Sequence, residues 1–451
     1  MKINFLFNFR NNKWPLSTSF KNIYARINKT INSQCFKKKH RLSKTAFTRK
    51  RSLDFPTLIL YLLNLRKHSN QTELDQFFKT ILDKKEASQV ITKSAFFQAR
   101  KQLSFTAFQA INEQLVEQVY QGDWKPKKWN GFRLCAIDGT SIRLPNEPDI
   151  IEHFGVQKGR PEQGQCTMGM ASVFYDVLNK IVIDSSIHPR RASEKQCAED
   201  HLQFSNDNDL VLFDRGYVAF WLYAYLLKHN ISFCMRAKTN QSLLIKDFVK
   251  SEKKEAIVTF EPNKPSIKTC KEKGLSNKPI TLRLVRVDLP NEVEVLITNL
   301  MDKETYNCTI FKSLYHLRWG IEENYKRLKQ WAEIENFSGK SALSVQQDFY
   351  AKIVASNLTT LLEIQAQEIV DKRTQHLRRN YQINFAQALS KMKHKIVTII
   401  TAQSSEISTL IKQTAEYLSK TIEAVRSGRS YPRRLKNIKN DIHFPAYKSA
   451  L

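Results

Sequence analysis

The sequence has no long apolar run. Its best stretch, residues 53–65, carries Pro56 and Asn64 and falls short of the roughly 18 residues that a membrane span requires. No membrane partner is expected. The opening MKINFLFNFRNNK has neither a sustained apolar stretch nor a cleavage site, so secretion is not expected either. The seven cysteines form no C-x-x-C pair and leave one odd, which argues against structural zinc; they read as buried free thiols in a reducing cytosol. The motifs G-x-x-x-x-G-K-[ST], G-x-S-x-G and H-E-x-x-H are missing, and the ten histidines are scattered. No nucleotide cofactor is expected. Internal repeats and low-complexity tracts are absent as well. One further absence is local: residues 1–53 hold 14 Lys and Arg and no Asp or Glu.

That imbalance runs through the whole chain. Its 451 residues carry 72 Lys and Arg against 43 Asp and Glu, a formal charge of +29. Such a charge points to a polyanionic partner. At 41% hydrophobic and 11% aromatic the chain is too apolar to be disordered as a whole, and its length suits two to four domains.

The pattern divides the chain into segments. Residues 1–46 form a basic arm, partly disordered, in which aromatics interleave with Lys and Arg as nucleic-acid contact would need; a solvated tail is the plainer reading, and both stay open. Residues 47–130 read as a helical DNA-binding domain, with apolar residues at helix spacing through Leu58, Tyr61 and Leu62 and through Leu74, Phe77 and Phe78. Ser94 is the expected cap of a helix over 95–103 that exposes Arg100 and Lys101 to DNA, in the manner of a helix-turn-helix. From 131 to 238 the order is strands, helix, strand, helix, strand, with 132–138 and 140–144 as two runs around a Gly139 turn. This is the order of an α/β ribonuclease-H-like core. A β-rich insertion occupies 239–305. Residues 306–375 bring the core's closing helices, the first over 310–335, and 376–451 a helical carboxyl-terminal region (helices over 385–397 and 405–425) with a basic tail from 426.

Three places could carry chemistry. Asp138 ends an apolar run in FRLCAIDGT, where a carboxylate needs hydrogen bonds or a cation; an Asp-Gly hairpin turn is the alternative. Asp214 follows the run LVLF in LFDRGY, where side chains face the cleft of an α/β core; capping of the next helix is the alternative. Tyr315, Arg318, Glu322 and Lys329 are offset by three, seven and fourteen residues, which puts them on one narrow stripe of a helix. That stripe suits a cation at Glu322 with Arg318 and Lys329 clamping a phosphodiester. A solvated face with an Arg318–Glu322 ion pair would look the same. In a ribonuclease-H-like fold the three acids can converge on two divalent ions about 3.5–4 Å apart for in-line phosphoryl transfer, Mg²⁺ or Mn²⁺ being suited to such oxygen ligands.

The spacing Tyr315-x2-Arg318-x3-Glu322-x6-Lys329 resembles the Y-R-E-K signature of bacterial DDE transposases of the insertion-sequence-four group. AIDGT and LFDRGY look like the settings of that family's two catalytic Asp, and SVFYDVLNKIVID with SEK (193–195) is similar to the stretch between them. FTRKRSLDFPTLILYLLN, TKSAFFQARKQL and RSGRSYPRR extend the resemblance over about 47–435. It implies Asp138, Asp214 and Glu322 as catalytic metal ligands, with two Mg²⁺ per site and Mn²⁺ as substitute. It implies Tyr315, Arg318 and Lys329 as phosphate contacts, and Arg236 and Lys238 along the DNA path. It further implies a cut-and-paste reaction through nicking, an end hairpin and strand transfer. The partners would be double-stranded DNA (terminal inverted repeats and target) and a second copy of the chain in a homodimeric synaptic complex, in the bacterial cytoplasm and associated with the nucleoid. Some relatives stack a flipped base on a Trp of the insertion; residues 239–305 contain none. A catalytically silent DNA-binding relative that inhibits transposition, or a nuclease of the same fold, is the alternative reading.

Overall fold

The computed structural model describes residues 16–66, 68–81, 91–158, 165–290 and 292–425. The start of the arm and the basic tail over 426–451 lie outside them. Within the arm the chain is folded: α1 (Leu16–Ile31) and α2 (Gln34–His40) are helices. Phe20, Ile23, Tyr24 and Ile27 are buried, and the Tyr24 hydroxyl donates to the Leu358 carbonyl at 3.0 Å. The expectation of a partly disordered arm is thus corrected from residue 16 onward, because an apolar stripe at helix spacing hides among the cations. Cys35 on α2 is exposed, contrary to the expectation of buried thiols. Lys38, Lys39, Arg49, Lys50 and Arg51 face solvent.

Four more helices follow: α3 (Phe55–Leu63), α4 (Asn70–Ile81), α5 (Lys93–Arg100) and α6 (Thr106–Gln121). Asp54 caps α3, its carboxylate accepting from the Thr57 amide. The cap of α5 is Thr92, not Ser94, two residues before the expected start. Arg100, expected on the outside, is 3% exposed and bonds Gln347, Ser338 and Asp348. Lys101 remains exposed.

The sheet begins with β1 (Arg133–Arg143), one continuous strand that runs straight through Gly139. The two-run reading with a turn at Gly139 is therefore corrected: β1 pairs with β3 without interruption across Asp138, Gly139 and Thr140. After α7 (Pro148–Phe154) and β2 (Val156–Lys158) come β3 (Gln165–Asp176) and β4 (Ile181–Pro189), then α8 (Glu194–Leu202), β5 (Asp209–Phe213), α9 (Phe220–Lys228) and β6 (Ser232–Ala237). Ser193 caps α8 as its sequence position indicates. β4, β3 and β1 are antiparallel, while β1, β5 and β6 are joined in parallel. The order β4-β3-β1-β5-β6 is that of a ribonuclease-H-like core, with helices α8 and α9 as crossovers.

Residues 239–305 supply α10 (Leu243–Lys250), β7 (Glu255–Phe260), α11 (Lys264–Glu272), β8 (Ile280–Asp288) and β9 (Val293–Thr298). These strands continue the core sheet, since β9 pairs antiparallel with β6. The expected single helix over 310–335 is broken into a 3₁₀ turn at Cys308–Ile310, α12 (Phe311–His316), α13 (Trp319–Lys326) and a π-helical turn at Arg327–Trp331. The angular step changes both at the break between α12 and α13 and at the π turn, so the stripe arithmetic does not carry from Tyr315 to Lys329.

The long helix α14 (Ala342–Thr374) is buried on nearly every side and serves as the spine. Its Asn357 bonds Asn112 of α6 and the Val182 amide of β4, and its Glu363 pairs with Arg327. Three short helices follow: α15 (Phe385–Lys391), α16 (Lys395–Thr401) and α17 (Ile407–Leu418). The helix expected over 385–397 divides because His394 takes the left-handed conformation at φ 66°, where the Asn64 side chain accepts its amide hydrogen. A ribbon of β10 (Tyr381–Ile383) and β11 (Ile422–Ala424) completes the described chain; β11 occupies the end of the stretch over 405–425 expected to be helical. No helix among the described residues is long and apolar enough to cross a membrane.

Candidate active site

Asp138 lies on β1, and Asp214 follows directly after the neighbouring parallel strand β5. Ala136 of β1 lies opposite Leu212 of β5, and each Asp is two residues further along. Parallel neighbours are about 4.8 Å apart, and the Asp214 charge is near enough to act on the Asp138 carboxyl. β5 ends at Phe213, which opens the ground beside Asp214. The Asp214 carboxylate accepts from the Gly216 amide at 2.6 Å, whereas α9 begins at Phe220 with Ala219 at its cap. Asp214 is therefore not the cap of α9. Asp138 accepts from the Gly139 amide at 2.9 Å.

The third element reaches these acids through Arg318. Its guanidinium bonds Glu322 at 2.8 Å and lies 4.0 Å from the Asp138 carboxylate. The face of α13 beyond it rests on β1: the Tyr325 hydroxyl donates to the Asp138 carbonyl at 2.6 Å, and Lys329 donates to the Ser141 carbonyl at 2.6 Å. Tyr315 is 7% exposed and donates to the Phe213 carbonyl. One tyrosine thus holds the backbone at each Asp. The expected phosphate-clamping groups are differently disposed: Arg318 is within reach of both carboxylates, while the polar ends of Tyr315 and Lys329 are turned onto backbone carbonyls.

Electrostatics favour a cation here. The Asp138 carboxyl is pushed up to about 7, chiefly by burial and to a lesser degree by Asp214 and Glu194, against the pull of Arg318 and the Gly139 amide. Glu194, at the start of α8, packs on Gly139 so closely that a Cβ there would lie 3.3 Å from its side chain. Tyr217 is fully buried, and its hydroxyl has no hydrogen-bond partner among the described residues. Carboxylates are the hard oxygen donors that Mg²⁺ and Mn²⁺ prefer, so the donor set fits a divalent ion. Among the described residues no three acidic, His or Cys groups stand close enough to enclose one as they are; Glu322 is held on Arg318.

Other sequence-selected residues lie elsewhere. Arg236, on β6, pairs with Glu292 and Glu294. Lys238 is exposed just past that strand. Arg100 is in the interior, paired with Asp348 of α14. Sequence reasoning missed Tyr325 and Glu194. Tyr325 stands three residues after Glu322, on the same helix face, and that spacing is a usable signal.

The chain is similar to known transposases. The model of the transposase DDE domain matches residues 129–358, about half the chain. The transposase InsG of insertion sequence element IS4 from Escherichia coli K12 is 24% identical over 351 residues, 77% of each protein. The putative transposase InsZ of the same organism is 25% identical over 127 residues, 28% of this chain and 42% of that one. Among solved structures, the piggyBac transposase synaptic complex with hairpin DNA overlaps 93% of this chain and 87% of its own, at a TM-score of 0.43 and 11% identity. The matched domain contains both strands and the helix that carry the acids, and the chain belongs to the DDE transposases, of the bacterial IS4 type, enzymes that cleave DNA and transfer its strands.

Proposed function

We propose that this transposase binds the terminal inverted repeats of an insertion sequence and moves it by cut and paste, through nicking, an end hairpin, hairpin opening and strand transfer. Asp138, Asp214 and Glu322 are the catalytic carboxylates in this reading, and would hold the divalent cations. The observation that carries it is Arg318 joining Asp138 on β1 to Glu322, with Asp214 just past the end of the adjoining strand β5. When bound, such ions activate the attacking oxygen and stabilise the leaving 3′-oxygen.

The chain's own groups do the rest. Arg318 presents a planar fork that a phosphodiester can take in competition with Glu322, which frees that carboxylate for the site. Trp319 is 51% exposed beside Arg318 and offers a ring for base stacking where 239–305 has no Trp. Lys238 and Lys101, with Lys38, Lys39 and Arg49–Arg51, supply exposed cations for the DNA backbone. Two ends must be cut and joined, so two copies of the chain act together.

The test uses DNA carrying the flanking inverted repeats, the protein and Mg²⁺, resolved on a denaturing gel. Asp138→Asn, Asp214→Asn and Glu322→Gln should each abolish nicked and hairpin products while end binding in a mobility-shift assay persists. Metal-dependent nicking by any of the three would overturn the assignment.

A further inference from the structure

Behind β1 lies a second polar group that the reaction above does not use. Ser172 of β3 sits opposite Gly139 in the β1–β3 ladder and is fully buried. His201 of α8 is 1% exposed. Its Nε2 is 3.0 Å from Ser172 Oγ and its Nδ1 is 2.7 Å from the Asp184 carboxylate of β4. Ser172 Oγ in turn donates to the Asp138 carbonyl at 3.4 Å. A carbonyl and a carboxylate only accept, so the pattern closes only when His201 donates from both ring nitrogens, Nδ1 to Asp184 and Nε2 to Ser172, which leaves the serine hydrogen for the Asp138 carbonyl. Asp184 holds the other ring nitrogen and borders a cavity of about 220 Å³ lined also by Asn112, Glu113 and Tyr350.

The chain ends on a peptide group of unusual consequence. The carbonyl of the 138–139 peptide is held by Tyr325 at 2.6 Å and by Ser172. The amide of the same peptide donates to the Asp138 carboxylate at 2.9 Å. Turning that peptide plane would swing the amide away from the carboxylate and release its rotamer. We infer that Asp184, His201 and Ser172 form a positioning chain that fixes the 138–139 peptide and, through it, the orientation of the Asp138 carboxylate toward a divalent cation. Ser172 and His201 are buried, and act through the peptide rather than as ligands in this reading. The inference rests on the proposed role of Asp138.

The test compares Ser172→Ala, His201→Phe, their double variant and His201→Gln with the full-length wild type. Mn²⁺ affinity is read directly from the free-ion electron paramagnetic resonance signal in the DNA complex, and the Mg²⁺ needed for half-maximal nicking is read alongside. Loss of a supporting bond of this kind typically weakens metal binding about tenfold, which is the shift expected for Ser172→Ala and His201→Phe. The double variant should be no worse than either single one, since all act through one bond, and His201→Gln, which keeps a donor toward Ser172, should lie between. DNA affinity should stay unchanged. Wild-type ion affinity in Ser172→Ala or in a folded His201→Phe, or additive losses in the double variant, would overturn the chain. Asp138→Asn distinguishes the two claims: if it still nicks, the reading of the site fails; if it is inactive while Ser172→Ala binds ions normally, only the positioning chain fails.

Discussion

Asp348 shows how much a single buried charge can decide. It is fully buried on α14 between Arg66 and Arg100, at 2.6 and 3.1 Å, and the two guanidiniums draw its carboxyl far below the ordinary range despite its burial. Removing one partner of such a group leaves unpaired charge in the interior, which typically costs about 3–5 kcal/mol. Asp348→Ala should therefore lower unfolding stability by that order, read from urea denaturation, since both arginines lose the carboxylate they share. The same network explains why Arg100 was misread from sequence. Its helix spacing fits an exposed position, and its partner is 248 residues away, a distance no local pattern spans. The local settings of Asp138 and Asp214 were legible for the opposite reason. Each is fixed by its immediate neighbours, an apolar strand before it and a glycine close behind, and sequence carries that information locally. Glu194 was not, because what matters is its approach to Gly139 across a loop.

At the scale of elements, α13 is placed by hydrogen bonds onto a strand as much as by apolar contact. Tyr325 donates to the Asp138 carbonyl from a buried position, and a net intramolecular bond is worth about 1 kcal/mol. Tyr325→Phe keeps the ring and removes the donor, so it should cost about 1 kcal/mol of stability, measured by thermal or urea unfolding, and reduce nicking while leaving DNA binding intact. The apolar run of β5 and the Ser193 cap of α8 were readable because both depend on adjacent residues. The breaks at Arg327–Trp331 and at His394 were not. The first is a change of hydrogen-bond step inside an otherwise helical sequence, and the second is a left-handed residue stabilised by Asn64, 330 positions earlier.

For the molecule as a whole, acid should be more damaging than the carboxylates alone would make it. Burial, aided by Lys39, lowers the His40 pKa from 6.5 to about 4. His188 and His394 are shifted in the same direction, again chiefly by burial. Between pH 6.5 and 4 the unfolded chain binds a proton at His40 that the folded chain refuses, so stability falls as pH falls through that window. For His40 alone the loss should be on the order of 2–3 kcal/mol by pH 4. Urea denaturation at pH 7 and pH 4.5 checks this, and His40→Gln should flatten the difference between the two.

The joining of the first helices to α14 has a consequence for synthesis. Tyr24 is anchored on Leu358, and Arg66 and Arg100 on Asp348, so the opening hundred residues emerge from the ribosome well before the segment that buries them exists. Contacts of such long sequence separation form slowly. During that interval the nascent chain presents basic helices with their apolar faces uncovered, and completion of the spine converts them from an adhesive intermediate into part of a closed domain.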